Sequence, residues 1–404
     1  MKIITMSAQL PKLKRIAIFL ATIFTASISG MVHADWSIKG LGTSEGKPTI
    51  PTDINDSGQV TGYSFLSNIV VPFHAFVTGP DGIGITDLGA LKGEETLGRA
   101  INSSGQVTGY DDLGHGFITG PNGMGLTELG TLDGAVYTFA DDINDSGRVV
   151  GTSHILSHSG HFGDTVTRAF ITGPNGIGMT DLGTLGGVGS GAVSINNSGQ
   201  VAGISYLAGD DVTKHAFITG PNGNGMTDLG TLGGYYSGVS GINNFGQLVG
   251  QSDFADTPFT HSFITGPNGI GMTDLGTLGG GWSWASGIND SGEAVGLAET
   301  ADGGFHSFIF SHGGMTDLSF LAPVIAAGWT SLVVSSINNN GQMVGHGFHN
   351  SSEEGFLLSY TPDTVFDPKP IYIPPVPETE TYLMLLAGLG LIRYRVRYKK
   401  EIAI

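Results

Sequence analysis

A hairpin signature returns seven times along the chain, and no other feature limits the possible folds as tightly. It begins as Ile54-Asn55-Asp56-Ser57-Gly58-Gln59-Val60 and recurs at Ile101-Asn102, Ile143-Asn144, Ile195-Asn196, Ile242-Asn243, Ile288-Asn289 and Ile337-Asn338, each with a Gly four residues after the Ile. Successive copies stand 42 to 52 residues apart, a spacing that fits propeller blades. An Asn, two polar residues and a Gly suit a hairpin whose last loop residue sits at positive φ, where Gly carries no steric penalty. Phe245 departs from this pattern in one copy. Val60, Val107, Val149 and Val201 then open the return strand.

A third strand carries Phe behind a small residue: His74-Ala75-Phe76, His115-Gly116-Phe117, Arg168-Ala169-Phe170, His215-Ala216-Phe217, His261-Ser262-Phe263, His306-Ser307-Phe308 and Glu354-Gly355-Phe356. With a strand's period of two, the small residue and the Phe meet opposite neighbours, as in a strand packed between sheets. Several copies run on into Gly-Pro-Asn-Gly, as at Gly220–Gly223, where Pro sets φ and Gly closes a tight turn. A fourth strand follows at Met179-Thr180-Asp181-Leu182-Gly183-Thr184-Leu185, with counterparts from Met226, Met272 and Met315 and variants at Ile85 and Leu126.

Four short strands per unit and seven units predict an all-β fold, a seven-bladed β-propeller of four-stranded blades. Its closure is written at the chain ends. The last unit stops after Phe356 without a fourth strand, and an extra copy, Ile38-Lys39-Gly40-Leu41-Gly42-Thr43, precedes the first hairpin. An N-terminal strand that completes the final blade removes the exposed edges that an open solenoid would keep. A parallel β-helix is the alternative architecture.

Composition narrows the setting. The chain has 67 glycines, no cysteine and a net charge of −18, so many tight turns are expected and the core must hold without disulfides. Lys2, Lys12, Lys14 and Arg15 at one end and Arg393, Arg395, Arg397, Lys399 and Lys400 at the other carry much of the positive charge. The body between them is strongly acidic, which argues against nucleic acid or an anionic membrane as partner.

The N-terminus has a positive start, an uncharged and mostly apolar stretch from Ile16 to Gly30, and Val32-His33-Ala34 as a small-residue cleavage pattern. These are the parts of a secretory signal peptide over residues 1–34, cut by signal peptidase after Ala34. At the other end a Pro-rich linker over 363–377 leads to Val376-Pro377-Glu378-Thr379, the apolar run Tyr382 to Ile392 and the basic tail. This order resembles the PEP-CTERM sorting signal of exosortase substrates, here over 378–404, with Thr379 in the place of the second proline. The resemblance implies transient membrane anchoring and exosortase processing, with release to the cell surface or the exopolysaccharide. At about 1.5 Å rise per residue the apolar run spans about 17 Å, short of a hydrocarbon core of about 30 Å.

Over residues 35–362, His-Ala-Phe together with Asp228 to Gly234 and Ile242 to Gly250 resembles the HAF family of extracellular repeats. That resemblance implies an extracellular protein and brings no catalytic residues with it.

Candidate chemistry is sparse. The histidines before Phe stand at equivalent places in different units, so they cannot converge on one metal at bonds of about 2 Å; strand-edge hydrogen bonding or packing beside Phe is expected of them. Asp53 to Gly58 and Asp142 to Gly147 resemble the start of a calcium loop, but the twelfth positions are Ser64 and Ser153, where such a loop needs a bidentate Glu. The other copies begin with Ala100, Ser194, Gly241, Gly287 or Ser336, and a hairpin explains them all. His154, His158, His161 and Asp164 lie outside the repeat pattern and form the weak metal candidate, zinc or copper.

Asp181, Asp228 and Asp274 recur in register and are expected to be structural. Paired carboxylates drawn from different blades stay open. With no nucleophile elbow, phosphate loop or zinc-protease motif, the expectation is an exported binding or structural scaffold, associated with a polysaccharide or a surface protein. No catalytic residues, no cofactor and no enzymatic activity are expected of it. An extracellular propeller enzyme acting on glycans is the alternative. Titrating zinc or copper into the wild type and His158→Ala tests the histidine cluster: a metal site gives unequal heats, and equal heats end it.

Overall fold

The computed structural model describes residues 35–42, 47–66, 72–156, 165–209, 212–255 and 257–361. Each repeat is an antiparallel meander of four strands, inner, second, third and outer. The first runs Thr49–Ile54, Val60–Phe65, Phe73–Thr78 and Ile85–Gly89, and the sixth runs Gly279–Ile288, Ala294–Thr300, Phe305–Ser311 and Gly314–Asp317. The fourth and fifth repeats join into one eight-stranded sheet through a single parallel contact between Lys214 and Tyr236. Apart from isolated parallel bridges at Leu185, Leu232 and Leu278, all other strand pairing among the described residues is antiparallel, so the parallel β-helix is set aside. The fold is an all-β propeller.

The last repeat supplies Trp329–Ile337, Gln342–His349 and Ser352–Thr361, and its outer strand is Asp35–Gly40. Ile38 pairs with Leu358 and Gly40 with Phe356 in antiparallel register. The chain's two ends therefore zip together. Trp36 stacks on Tyr360 with ring centroids 4.9 Å apart.

The repeated Phe explains the packing between sheets. Phe76, Phe117, Phe170, Phe217, Phe263, Phe308 and Phe356 are all fully buried, and each such side chain contributes about 1.5–3 kcal/mol by leaving water. The small residue before Phe lets the next inner strand approach. Ala169 N donates to Ser190 Oγ at 3.0 Å, and that hydroxyl donates on to Gly183 O at 2.6 Å. Ala216 with Ser237, Ser262 with Ser283 and Ala75 with Thr96 repeat the contact.

The hairpin and the Gly-Pro-Asn-Gly turn are one unit. Gly223 N donates to Gly199 O at 2.9 Å, while Gly199 sits at φ +78°, and a Cβ there would stand 2.9 Å from Asn222 N. Both the dihedral and the close approach require Gly. The turn itself is a short 3₁₀ segment in which Asn, and not Gly alone, takes positive φ; Asn122, Asn175, Asn222 and Asn268 lie at 54° to 57°. Among the described residues no helix is long and apolar enough to cross a membrane.

One substitution inside the repeat shows how closure is achieved. Gln59 and Gln200 send Nε2 to an Asn Oδ1 in a turn of the next repeat. The last repeat has no such turn, and the preceding repeat carries Glu293 in the place of Gln. Glu293 Oε2 accepts Asn289 Nδ2 at 2.7 Å, and its other oxygen accepts the Tyr360 hydroxyl. Where the acceptor amide is lost and a phenol donor stands instead, a carboxylate that accepts on both oxygens takes over from an amide. Burial first, and Glu293 next, push the Tyr360 phenol pKa above its usual value. Tyr360→Phe leaves that carboxylate oxygen without its donor, and urea unfolding should show a loss of about 1–3 kcal/mol with the fold intact.

Candidate functional site

The inner strands converge on the propeller axis and end at the seven isoleucines. On one side of these lies a narrow cavity of ≈ 210 Å³, ringed by the seven Asn residues and the residues that follow them. On the other side is a larger cavity of ≈ 590 Å³, walled by the inner strands themselves.

The narrow end is symmetric. Asn55 Nδ2 donates to Asn102 O, Asn102 to Asn144 O, Asn144 to Asn196 O, Asn196 to Asn243 O, Asn243 to Asn289 O, Asn289 to Asn338 O, and Asn338 back to Asn55 O, at 2.9 to 3.2 Å. A second run of contacts, from Ser103 round to Asp56, passes through the following residues. The backbone N–H of Ser103, Asp145, Asn197, Asn244, Asp290 and Asn339 each donates to the side-chain oxygen of the next residue in the run. The Asp56, Asp145 and Asp290 carboxylates are committed to it. These residues read as the mechanical hub of the propeller.

The wide cavity breaks the symmetry. At the two positions before each Ile its wall carries, in turn, Thr52-Asp53, Arg99-Ala100, Asp141-Asp142, Val193-Ser194, Ser240-Gly241, Ser286-Gly287 and Ser335-Ser336. All the charge falls in the first three repeats. The remaining wall is small or apolar, with Val239, Trp284, Leu297, Val333 and Val334.

Hydrogen bonds fix the acids across repeats. Asp53 accepts from Ile101 N at 2.9 Å and from Ser336 Oγ at 2.7 Å, so it ties the first repeat to the second and the last. Asp142 accepts from Ser194 Oγ at 2.7 Å and Ile195 N at 2.8 Å, and its other oxygen accepts from its neighbour Ile143 N at 2.7 Å. Arg99 faces Asp141 at 3.4 Å.

Enclosure by protein sets their protonation. Burial, and then the charge of Asp53, raise Asp142 from the ordinary 3.8 to about 7, against the pull of its hydrogen bonds. Burial raises Asp141 to about 6 in spite of Arg99, and it raises Asp53 as well. Beside them Tyr63 is also pushed up, by burial first and by Glu353 next, with Arg99 opposing. His346 is held down by burial. One wall can therefore exchange protons near neutrality, and the facing wall can pack the apolar side of a ligand.

The residues singled out by sequence fall elsewhere. His74, His215, His261 and His306 bind the carboxylates of Asp87, Asp228, Asp274 and Asp317 on the outer strands at 2.7 to 3.0 Å. Arg168 faces Asp181 in the same place at 3.7 Å. His154 packs against Phe139 with ring centroids 5.2 Å apart, and burial lowers its pKa. His158, His161 and Asp164 lie outside the described residues, as do Ala34 and Val376, Pro377, Glu378 and Thr379. Among the described residues no group of three His, Asp or Glu could hold a metal.

Sequence alone places Asp53 and Asp142 at calcium-like loop starts that a hairpin explains, and it gives Arg99 and Asp141 no role. The signal available was their variation: the position before Ile is acidic in only two repeats.

No protein-family model and no curated relative matches the sequence. Solved structures resemble the fold. An oligogalacturonate lyase in complex with manganese aligns with a TM-score of 0.57 and 11% identity over 82% of this chain and 95% of that one. Another, from Vibrio parahaemolyticus, aligns at 0.53 and 8% over 81% and 97%. A puromycin hydrolase aligns at 0.50 and 12%, over 76% of this chain and 51% of that one.

At such identities the likeness shows the fold alone. It nonetheless corrects one expectation, that of no enzymatic activity: the fold this chain adopts is one that enzymes use. That expectation rests on acids that recur in register, and the wide cavity is where repetition fails. Carbon-13 NMR of aspartate side chains should find one carboxyl titrating near 7 that is absent in Asp142→Asn. In Asp53→Ser its midpoint should fall, because the like charge is removed. For such a raised pKa the folded state binds the proton more tightly, so this group's stabilising contribution declines as pH rises from about 4 to 7.

Proposed function

We propose that the chain is an exported, seven-bladed propeller of the HAF repeat kind that holds an extracellular polysaccharide in its wide central cavity. The uneven cavity wall carries this reading: Arg99, Asp53, Asp141 and Asp142 stand on one side and Trp284, Leu297 and Val333 on the other. A sugar chain has the same division, with hydroxyls for the polar wall and C–H faces for an aromatic one. The seven blades rest on the seven linked Asn residues and on the pairing of Ile38 with Leu358.

Export rests on the signal-peptide pattern ending at Ala34, and surface or matrix placement rests on the PEP-CTERM-like residues Val376 to Thr379 with the basic tail. In this reading signal peptidase and an exosortase act on the two ends, with transient membrane anchoring between the two events.

A second reading, acid–base cleavage of the same polysaccharide, is favoured by one observation. Asp142 is held near 7, where a carboxyl can give or take a proton at neutral pH. Incubating residues 35–362 with the producing organism's own exopolysaccharide tests both. Retention that is lost in Asp142→Asn and Trp284→Ala supports the cavity as receptor, and new reducing or unsaturated ends add the cleavage reading. Polysaccharide that passes unretained and uncut removes both.

A further inference from the structure

Resting on that reading, we propose that Arg99 is a carboxylate-reading residue and that the polysaccharide is acidic, a polymer bearing uronic acid. Among the described residues Arg99 is the only cation in the wall of the wide cavity. Its side chain is 40% exposed, and its ion pair with Asp141 is long, at 3.4 Å, where a charge-assisted hydrogen bond is about 2.7–2.9 Å. A guanidinium has five N–H donors in a planar fork that matches a carboxylate. A neutral sugar offers that fork only uncharged hydroxyl acceptors, without the paired charge of a carboxylate. Tyr63 adds a hydroxyl within electrostatic reach of Arg99, and burial keeps that phenol protonated.

The acids beside Arg99 oppose an anion when ionised, so the groups around it decide when it can bind. They are Asp53 on the first inner strand, Tyr63 on the strand after it, Tyr110 near Tyr63, Asp141 and Asp142 on the third repeat's inner strand, and Glu353 with His346 from the last repeat. Asp141 and Asp142 take up protons close to neutrality, at about 6 and about 7. Protonated, they stop repelling an anion and become O–H donors; Asp141 also releases Arg99. An incoming carboxylate raises both pKa values further. Binding therefore takes up protons, and affinity rises as pH falls.

The test compares hexagalacturonate with its carboxyl-reduced, neutral counterpart by titration calorimetry on residues 35–362. The charged probe should bind at least about tenfold more tightly at about pH 5.5 than at about pH 8, with net proton uptake seen by comparing buffers of different ionisation heat. Arg99→Gln should cost the charged probe at least about tenfold and the neutral one far less, and Arg99→Lys should recover only part. Matching melting curves confirm that both variants fold.

Equal binding of the two probes, no effect of Arg99→Gln, or tighter binding at higher pH overturns the proposal. If the producer's exopolysaccharide is retained but Arg99→Gln changes nothing, this inference fails and the receptor reading stands. If neither probe nor exopolysaccharide binds, both fail.

Discussion

What holds the propeller sheets to a common axis is one side chain used seven times. Asn55 shows the device. Its Oδ1 accepts Ser57 N at 3.1 Å and Gln59 N at 3.0 Å, which shapes its own hairpin, and its Nδ2 donates to Asn102 O in the next repeat. Local turn and neighbour contact are thus one structure. An isolated repeat leaves the Asn amide without its neighbour and the Phe without a covering sheet, so the repeats stabilise each other as a set. The buried amides are costly to leave unpaired, about 1–3 kcal/mol each, which favours a closed circle over any open arrangement.

Closure in turn fixes the chain ends. With Asp35–Gly40 spent as the outer strand of the last sheet, that sheet has its fourth strand, and Ser352–Thr361 is no longer an edge for another chain to pair with. The Glu293 and Tyr360 contact belongs to the same logic. It takes the place of the amide contact that Gln59 and Gln200 make, where the last repeat offers no acceptor turn.

The rigid hub also frees the other end of the axis. Because the Asn circle and the Phe layers carry the fold, the positions before each Ile can vary, from Gly241 and Ser286 to Asp53 and Asp142, without loss of packing. Charge placed there comes from different repeats, meets in one enclosed space and shifts in pKa as a result. That is how a symmetric frame acquires a directional site, with proton-exchanging groups on one wall and Trp284 on the other.

Much of the fold could be read from the chain, because Asn, Gly and Phe are demanded by backbone and packing geometry in every repeat, and because Ile38 to Thr43 stood out as a displaced copy. The His residues before Phe were legible as structural, although their partners, such as Asp87 for His74, follow from the third and outer strands lying side by side. The site was not legible. Asp142 is adjacent to the strongest motif in the chain and was absorbed into it, and Arg99 carries no motif at all. Their importance comes from enclosure and from neighbours about 40 residues or more away, which spacing along one strand does not encode. The direct measurement is to make the wall uniform, with Asp53, Arg99, Asp141 and Asp142 all changed to the Ser that other repeats carry. Such a protein should melt no lower than the wild type at about pH 8, where its buried acids are gone, and should no longer retain the producer's exopolysaccharide. Full retention by that variant contradicts the assignment of the cavity as the site.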